Sequence, residues 1–277
     1  MKKRSHGGIF SFAAGKWRFF AKMRRRDFSR TTAGTLAAGI LLSGCRKGGR
    51  WATPYPDAIR VACEGDSITF GHKVKDRVLN CYPGRLQSIL GREYHIKNYG
   101  INGATLITRG DYPYMYSKEF EEALAFEPRI VVLMLGTNDV KPWNLKKTDD
   151  FVEDGVALIE RHTMAEKTFV CFPTPVFPEA FGVNGAALES GIIPLLEEVA
   201  QETRSTVVDL HTPFLDRAEL FPDKLHPSRE ACEEMAKIVA DAILSAPVER
   251  DAVLESDAAP SENIKRTPDR EIDVTSA

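Results

Sequence analysis

Apolar positions along this chain fall into two alternating patterns. Five short apolar runs occur at Ile59–Cys63, His95–Tyr99, Ile130–Leu135, Thr168–Phe172 and Thr206–Leu210. Most are rich in Val and Ile, and Ile130–Leu135 is apolar throughout, as a strand buried on both faces requires. Helical patterns lie between them. Tyr82–Leu90 has Pro83 in its first turn, where the missing N–H costs nothing. Ser117–Phe126 and Thr148–His162 open on hydroxyl residues suited to N-caps. Ile192–Thr203 carries Pro194 near its start, and Ser228–Leu244 places Met235, Ile238, Val239, Ala242 and Ile243 on one stripe. Strands alternating with helices at this spacing predict an α/β fold, a parallel sheet covered on both faces. Ligands of such folds bind at the carboxyl ends of the strands.

The 277 residues are 43% hydrophobic and 27% charged, a globular composition. No run of eighteen apolar residues is present, which argues against a permanent transmembrane helix. The net charge of −2 hides an asymmetry. Residues 1–44 hold ten Lys or Arg and one acid, Asp27, so residues 45–277 carry eleven more acids than bases. A body that acidic repels nucleic-acid phosphates and anionic lipid headgroups, so a nucleic-acid partner is excluded.

The basic segment reads as an address. Arg24-Arg25-Arg26-Asp27-Phe28-Ser29-Arg30 precedes the uncharged run Thr31–Gly44, the order of a secretion signal. The pair Arg25-Arg26 with Phe28 resembles a bacterial twin-arginine export signal. Leu41-Leu42-Ser43-Gly44-Cys45 resembles a lipoprotein lipobox, which implies lipidation of Cys45 and anchoring at the bacterial cell envelope. The expected organisation is a signal peptide over 1–44, a linker over 45–57, one folded domain over 58–246 and a polar, aperiodic, disordered tail over 247–277. Of the other cysteines, Cys63 and Cys171 sit in apolar runs and read as buried thiols. An oxidising compartment allows Cys63, Cys81, Cys171 and Cys232 three pairings, which the sequence leaves open. No Cys-x-x-Cys or Cys/His cluster supports a metal site.

Four polar segments stand where strands end: Glu64-Gly65-Asp66-Ser67-Ile68-Thr69, Asn98-Tyr99-Gly100-Ile101-Asn102-Gly103-Ala104-Thr105, Gly136-Thr137-Asn138-Asp139 and Asp223-Lys224-Leu225-His226-Pro227. Together they supply an acyl-transfer site. The Ser67 hydroxyl is a weak nucleophile that needs a base, and His226 is that base. Asp223, three residues earlier, bonds the second ring nitrogen and holds the tautomer. The developing oxyanion needs fixed donors: the N–H groups of Ser67 and Gly103 and the Asn138 amide. Asp66 and Asp139 read as structural, accepting from loop N–H groups. Rival motifs fail on spacing. A nucleophile elbow needs Gly where Thr69 stands, and Gly65 to Gly71 is one residue too long for a phosphate loop.

These four segments resemble the blocks of the GDSL/SGNH hydrolase superfamily, on Ser67, Gly103, Asn138 and His226, with Asp223 as the acid. The resemblance spans about residues 58–246. It implies a flavodoxin-like three-layer α/β/α sandwich with a five-stranded parallel sheet, and a reaction needing neither metal nor organic cofactor. Gly100 stands in the same block, which leaves open which glycine donates. Gly136–Asn144 and Pro173-Thr174-Pro175-Val176-Phe177 resemble the sialate O-acetylesterase-like branch of carbohydrate esterases. Lys141, Trp143 and Asn144 are candidate sugar contacts, with packing or surface roles as the equal alternative. Tyr112-Pro113-Tyr114-Met115-Tyr116 is read mainly as packing, and His72, His95, His162 and His211 as surface or core residues.

The expected protein is an exported, lipid-anchored serine esterase that removes short acyl groups, acetyl foremost, from carbohydrate hydroxyls. The alternatives are a lipid or thioester acylhydrolase, an acyltransferase, and a carbohydrate-binding lipoprotein without catalysis.

Overall fold

The computed structural model describes residues 53–248. The signal segment 1–44, Cys45, most of the 45–57 linker and the tail beyond Val248 lie outside the described residues.

Five strands form one parallel sheet: β1 (Ile59–Gly65), β2 (Tyr94–Gly100), β3 (Ile130–Met134), β4 (Lys167–Phe172) and, after a two-stranded hairpin of β5 (Glu179–Ala180) and β6 (Val183–Asn184), β7 (Thr206–Asp209). Their order across the sheet is β2-β1-β3-β4-β7, with all neighbours parallel. Taken in chain order, the five strands run 2-1-3-4-5, the flavodoxin-like arrangement. The helical segments are α1 (Ser67–Phe70), α2 (Arg77–Asn80), α3 (Tyr82–Leu90), α4 (Lys118–Ala125), α5 (Pro142–Leu145), α6 (Phe151–Glu160), α7 (Gly185–Ala187), α8 (Ile193–Glu202) and α9 (Arg229–Ser245).

The continuously apolar β3 is buried along its whole length because the sheet has a core on each face. Ile130, Val132 and Met134 pack with Leu86 of α3 and Met235, Val239 and Ile243 of α9. Val131 and Leu133 pack on the opposite face with Phe120 of α4, Phe151 and Leu158 of α6, and Leu196 and Val199 of α8. The result is the three-layer α/β/α sandwich. Burying a side chain such as Val132 or Leu133 on either face contributes about 1.5–3 kcal/mol.

Local chemistry accounts for where the helices begin. The Ser117 hydroxyl accepts from Phe120 N–H at 3.1 Å, capping as predicted, and that of Ser228 accepts from Ala231 N–H at 3.3 Å and caps the last helix. Thr148 does not cap: its hydroxyl donates back to the Leu145 carbonyl, a 3₁₀ turn covers Thr148–Asp150, and α6 starts at Phe151. Ahead of α8, residues Leu188–Ile192 form a π-helical turn. Pro194 has no N–H to continue an α-helical ladder, and the wider turn absorbs that gap.

The domain extends slightly past both expected edges. Tyr55 N–H donates to the Arg92 carbonyl at 2.9 Å, and Arg92 Nε to the Thr53 carbonyl at 2.8 Å. Val248 is buried against the α3/α9 core, so packing runs two residues beyond 246. Cys63, Cys81, Cys171 and Cys232 are all buried free thiols. Burial raises all four pKa values, to about 12 for Cys171 and Cys232, which leaves them poor nucleophiles.

Candidate active site

Sheet register brings the three strand-end segments together. Gly65 at the end of β1 pairs with Gly100 of β2 on one side and Met134 of β3 on the other. Each chain then leaves the sheet at the same level, and a few residues carry it to Ser67, Gly103 and Asn138. This is the switch point of the sheet, where strand order reverses about β1. Gly65 is required by close approach, since a Cβ there would lie 2.3 Å from the Met134 carbonyl oxygen.

Ser67 is the first residue of α1. The Asp66 carboxylate caps that helix by accepting from Ile68 N–H at 2.9 Å. At this position the Ser67 N–H lies outside the helical ladder. Gly103 has φ +83°, a left-handed backbone that favours glycine, and its missing Cβ would point into open space. Asn138 Nδ2 donates to the Ala104 carbonyl at 3.0 Å and stands 3.3 Å from Asp66 Oδ2, joining the ends of all three segments.

The fourth segment arrives from the loop before α9. Ser67 Oγ is 2.9 Å from His226 Nε2, and His226 Nδ1 is 2.8 Å from Asp223 Oδ2. The other Asp223 oxygen accepts from the backbone N–H groups of His226 at 2.7 Å and Leu225 at 3.2 Å. Lys73 Nζ lies 2.9 Å from Asp223 Oδ2. Partial burial raises the Asp223 pKa, but bonds from His226 N–H, Lys73 and the His226 ring outweigh it and hold the group well below the carboxylate range. Burial, His72 and Lys73 lower the His226 pKa against the opposing pull of Asp223. A neutral His226 at pH 7 is the form able to accept a proton from Ser67.

Two other buried acids behave in the opposite way. Burial pushes Asp66 up to about 6 and Asp139 up to about 7, against the N–H groups each accepts. Asp139 accepts from Leu106 and Ile107 N–H at 2.9–3.0 Å, so it braces the Gly103 loop. Both acids therefore do the structural work expected of them.

Ser67, Gly103, Asn138 and His226 line one cavity of about 170 Å³, together with His72, Asn102, Lys141, Phe181 and Leu225. Lys141 thus stands where a substrate contact was expected. Trp143 lies outside the lining, half-exposed, with Nε1 donating to Asp111 at 2.7 Å. Asn144 corrects the expectation. It is fully buried, its Nδ2 donates to Asp111 Oδ1 at 2.7 Å and the Asn138 carbonyl at 3.0 Å, and its Oδ1 accepts from Asp111 N–H at 3.0 Å. Every polar atom of that side chain is committed, so it braces the Asn138 loop instead of meeting a sugar. Asn144→Ala should lower stability by about 1–3 kcal/mol by stranding buried partners. Thermal unfolding would register that as a fall of several degrees.

Sequence reasoning missed His72 and Phe181. The His72 ring centroid is 4.6 Å from that of His226, and the Phe181 centroid is 5.5 Å away. His72 follows Ser67 by only five residues, a proximity that could have flagged it. Phe181 carried no local signal. The remaining histidines pack elsewhere: His95 edge-on to Phe126, His162 buried 2.9 Å from Glu64, and His211 bonded to the Pro173 carbonyl. Tyr114 is core, its hydroxyl donating to the Tyr99 carbonyl, while Tyr112 and Tyr116 are exposed. Among the described residues no group of three or more His, Cys, Asp or Glu is placed to hold a metal ion.

A Ser–His–Asp hydrogen-bond chain at the switch point of a flavodoxin-like sheet is the build of a serine-type hydrolase. A model of the GDSL-like lipase/acylhydrolase family matches residues 63–233, and the chain belongs to that family. It is 36% identical over 220 residues to an acetylxylan esterase of Xylanibacter ruminicola, covering 70% of this chain and 46% of that protein. The chain therefore spans about half the length of the curated relative it matches.

Solved structures share the fold. Est24, a carbohydrate acetylesterase from Sinorhizobium meliloti, superposes with TM-score 0.53 at 20% identity, covering 67% of this chain and 98% of that one. The acetyl xylan esterase AlAXEase gives 0.55 at 22%, covering 67% and 100%. An aryl esterase of M. smegmatis gives 0.54 at 17%, covering 68% and 99%.

Proposed function

We propose that the protein is an exported serine esterase that removes acetyl groups from carbohydrate hydroxyls. The observation that carries this reading is the continuous chain Ser67–His226–Asp223 opening on a cavity of about 170 Å³. That cavity is below the roughly 300–1,000 Å³ of pockets for drug-sized ligands, which suits a short acyl group. The acetylxylan esterase relative supports the same substrate class.

In this mechanism His226 Nε2 takes the Ser67 proton as Oγ attacks the ester carbonyl. The tetrahedral oxyanion is held by the N–H groups of Ser67 and Gly103 and by Asn138 Nδ2. The Asn138 hydrogen for this task is the one on the longer 3.3 Å contact to Asp66. The sugar alcohol leaves with the proton from His226, and the acetyl group stays on Ser67. Water, deprotonated by His226, then releases acetate. Asp223 holds the Nδ1–H tautomer and stabilises the imidazolium formed in each half. Lys141, on the cavity wall, meets the saccharide. Residues 1–44 serve as a twin-arginine signal and Cys45 as the lipidated anchor.

Initial rates on 4-nitrophenyl acetate, butyrate and octanoate test the acyl preference. Acetate should be the best substrate, with octanoate at least about tenfold slower, since each tenfold is about 1.4 kcal/mol of transition-state binding. An octanoate preference would move the assignment to lipid or thioester substrates.

A further inference from the structure

Two non-glycine residues with left-handed backbones meet beside His226. Lys73, just after α1, has φ +61°, and Phe181, at the tip of the β5–β6 hairpin, has φ +54° beside Gly182 at +76°. Positive φ at both tip residues is the pattern of a tight hairpin turn, but a bulky ring is ordinarily excluded there. Such strain persists where the surroundings hold it, and it concentrates at functional sites. The outcome of both distortions is one contact: Lys73 Nζ stands 5.1 Å over the Phe181 ring, and that ring lies edge-on to His226.

The Asp223 carboxylate shows what this contact serves. Oδ1 accepts two backbone N–H groups, and Oδ2 accepts the His226 Nδ1–H. Lys73 supplies a fourth donor, to Oδ2, so both oxygens are fully engaged. We propose that Lys73 is a positioning residue of this site, locking the Asp223 carboxylate in the orientation His226 needs, with Phe181 covering the ion pair. The proposal rests on the triad assignment under Proposed function. Lys73 is half-exposed while Asp223 is largely covered, so the pair is sheltered on the side that matters.

A charge consequence follows. His226 is faced by Asp223 on its own loop, by His72 and Lys73 on the loop after α1, and by Lys141 across the cavity. Lys73 shares the oxygen that would stabilise the imidazolium, so it opposes protonation of His226. Because His226 works deprotonated, losing Lys73 should move the acid limb of kcat/KM to higher pH.

The test is the titration of the His226 Hε1 signal by NMR in full-length Ser67→Ala protein, with and without Lys73→Met or Lys73→Arg. The acid limb of kcat/KM is measured in the active background. Lys73→Met should raise the His226 midpoint by about 0.5–1 unit, and Lys73→Arg should leave it near the parent. Lys73→Gly suits the left-handed backbone and should give the same rise if the Met variant does not fold. An unmoved midpoint in both Lys73→Met and Lys73→Gly, with kcat/KM lowered equally at every pH, would overturn the proposal. The NMR readout needs no turnover, so a shifted midpoint in an inert protein would count against the esterase reading and not against Lys73's contact.

Discussion

Ser67→Ala should lower turnover of an acetyl ester by about 10⁶-fold, the scale on which loss of a catalytic serine acts. The size of the effect follows from the connectivity of the site. Ser67 Oγ makes one side-chain hydrogen bond, to His226 Nε2, and no other hydroxyl or thiol is present among the cavity-lining residues. Alanine fits the first turn of α1, whose cap is the Asp66 carboxylate and not the serine hydroxyl. The melting temperature should therefore stay within a few degrees of the parent while the initial rate collapses. Rates measured on matched, folded samples check both halves of this expectation.

Asp223→Asn should cost about 10⁴-fold in kcat, by a different route. The retained oxygen can still accept the backbone N–H groups of His226 and Leu225. An amide NH₂ in place of Oδ2 then meets two donors, His226 Nδ1–H and the Lys73 ammonium. The imidazole answers by moving its proton to Nε2, which can no longer accept from Ser67. Kinetics of Asp223→Asn across pH, with His226 tautomer read from its ring nitrogen shifts, measure this change. A variant that keeps near-parent kcat would show that Asp223 does not set the tautomer.

The sheet and the meeting of Ser67, Gly103 and Asn138 were legible in the sequence for one physical reason. β3 is apolar at every position, which only a strand covered on both faces tolerates, and parallel register then aligns the loops that follow β1, β2 and β3. His226 and Asp223 were legible as a pair because they stand only three positions apart in one segment. The glycine question is also physical: Gly103 lines the cavity with φ +83°, whereas Gly100 pairs within the sheet and packs against the backbone of Phe70.

What stayed hidden depends on contacts between segments far apart in the chain. Asn144 read as a candidate sugar contact because its partners, Asp111 and the Asn138 carbonyl, are fixed only once both loops fold. The β5–β6 hairpin has two-residue strands, too short for any alternation to register, and its Phe181-Gly182 tip lacks the Asn-Gly or Asp-Gly pair that marks such turns. Lys73 carries no local signal in the sequence because its partner Asp223 lies 150 residues away.

The most direct test of the central claim is intact-mass analysis after treatment with a serine-directed fluorophosphonate. The parent protein should gain a single adduct, mapped to Ser67, and Ser67→Ala should gain none. An unmodified parent, or equal labelling of the two proteins, would contradict the assignment of Ser67 as the activated nucleophile.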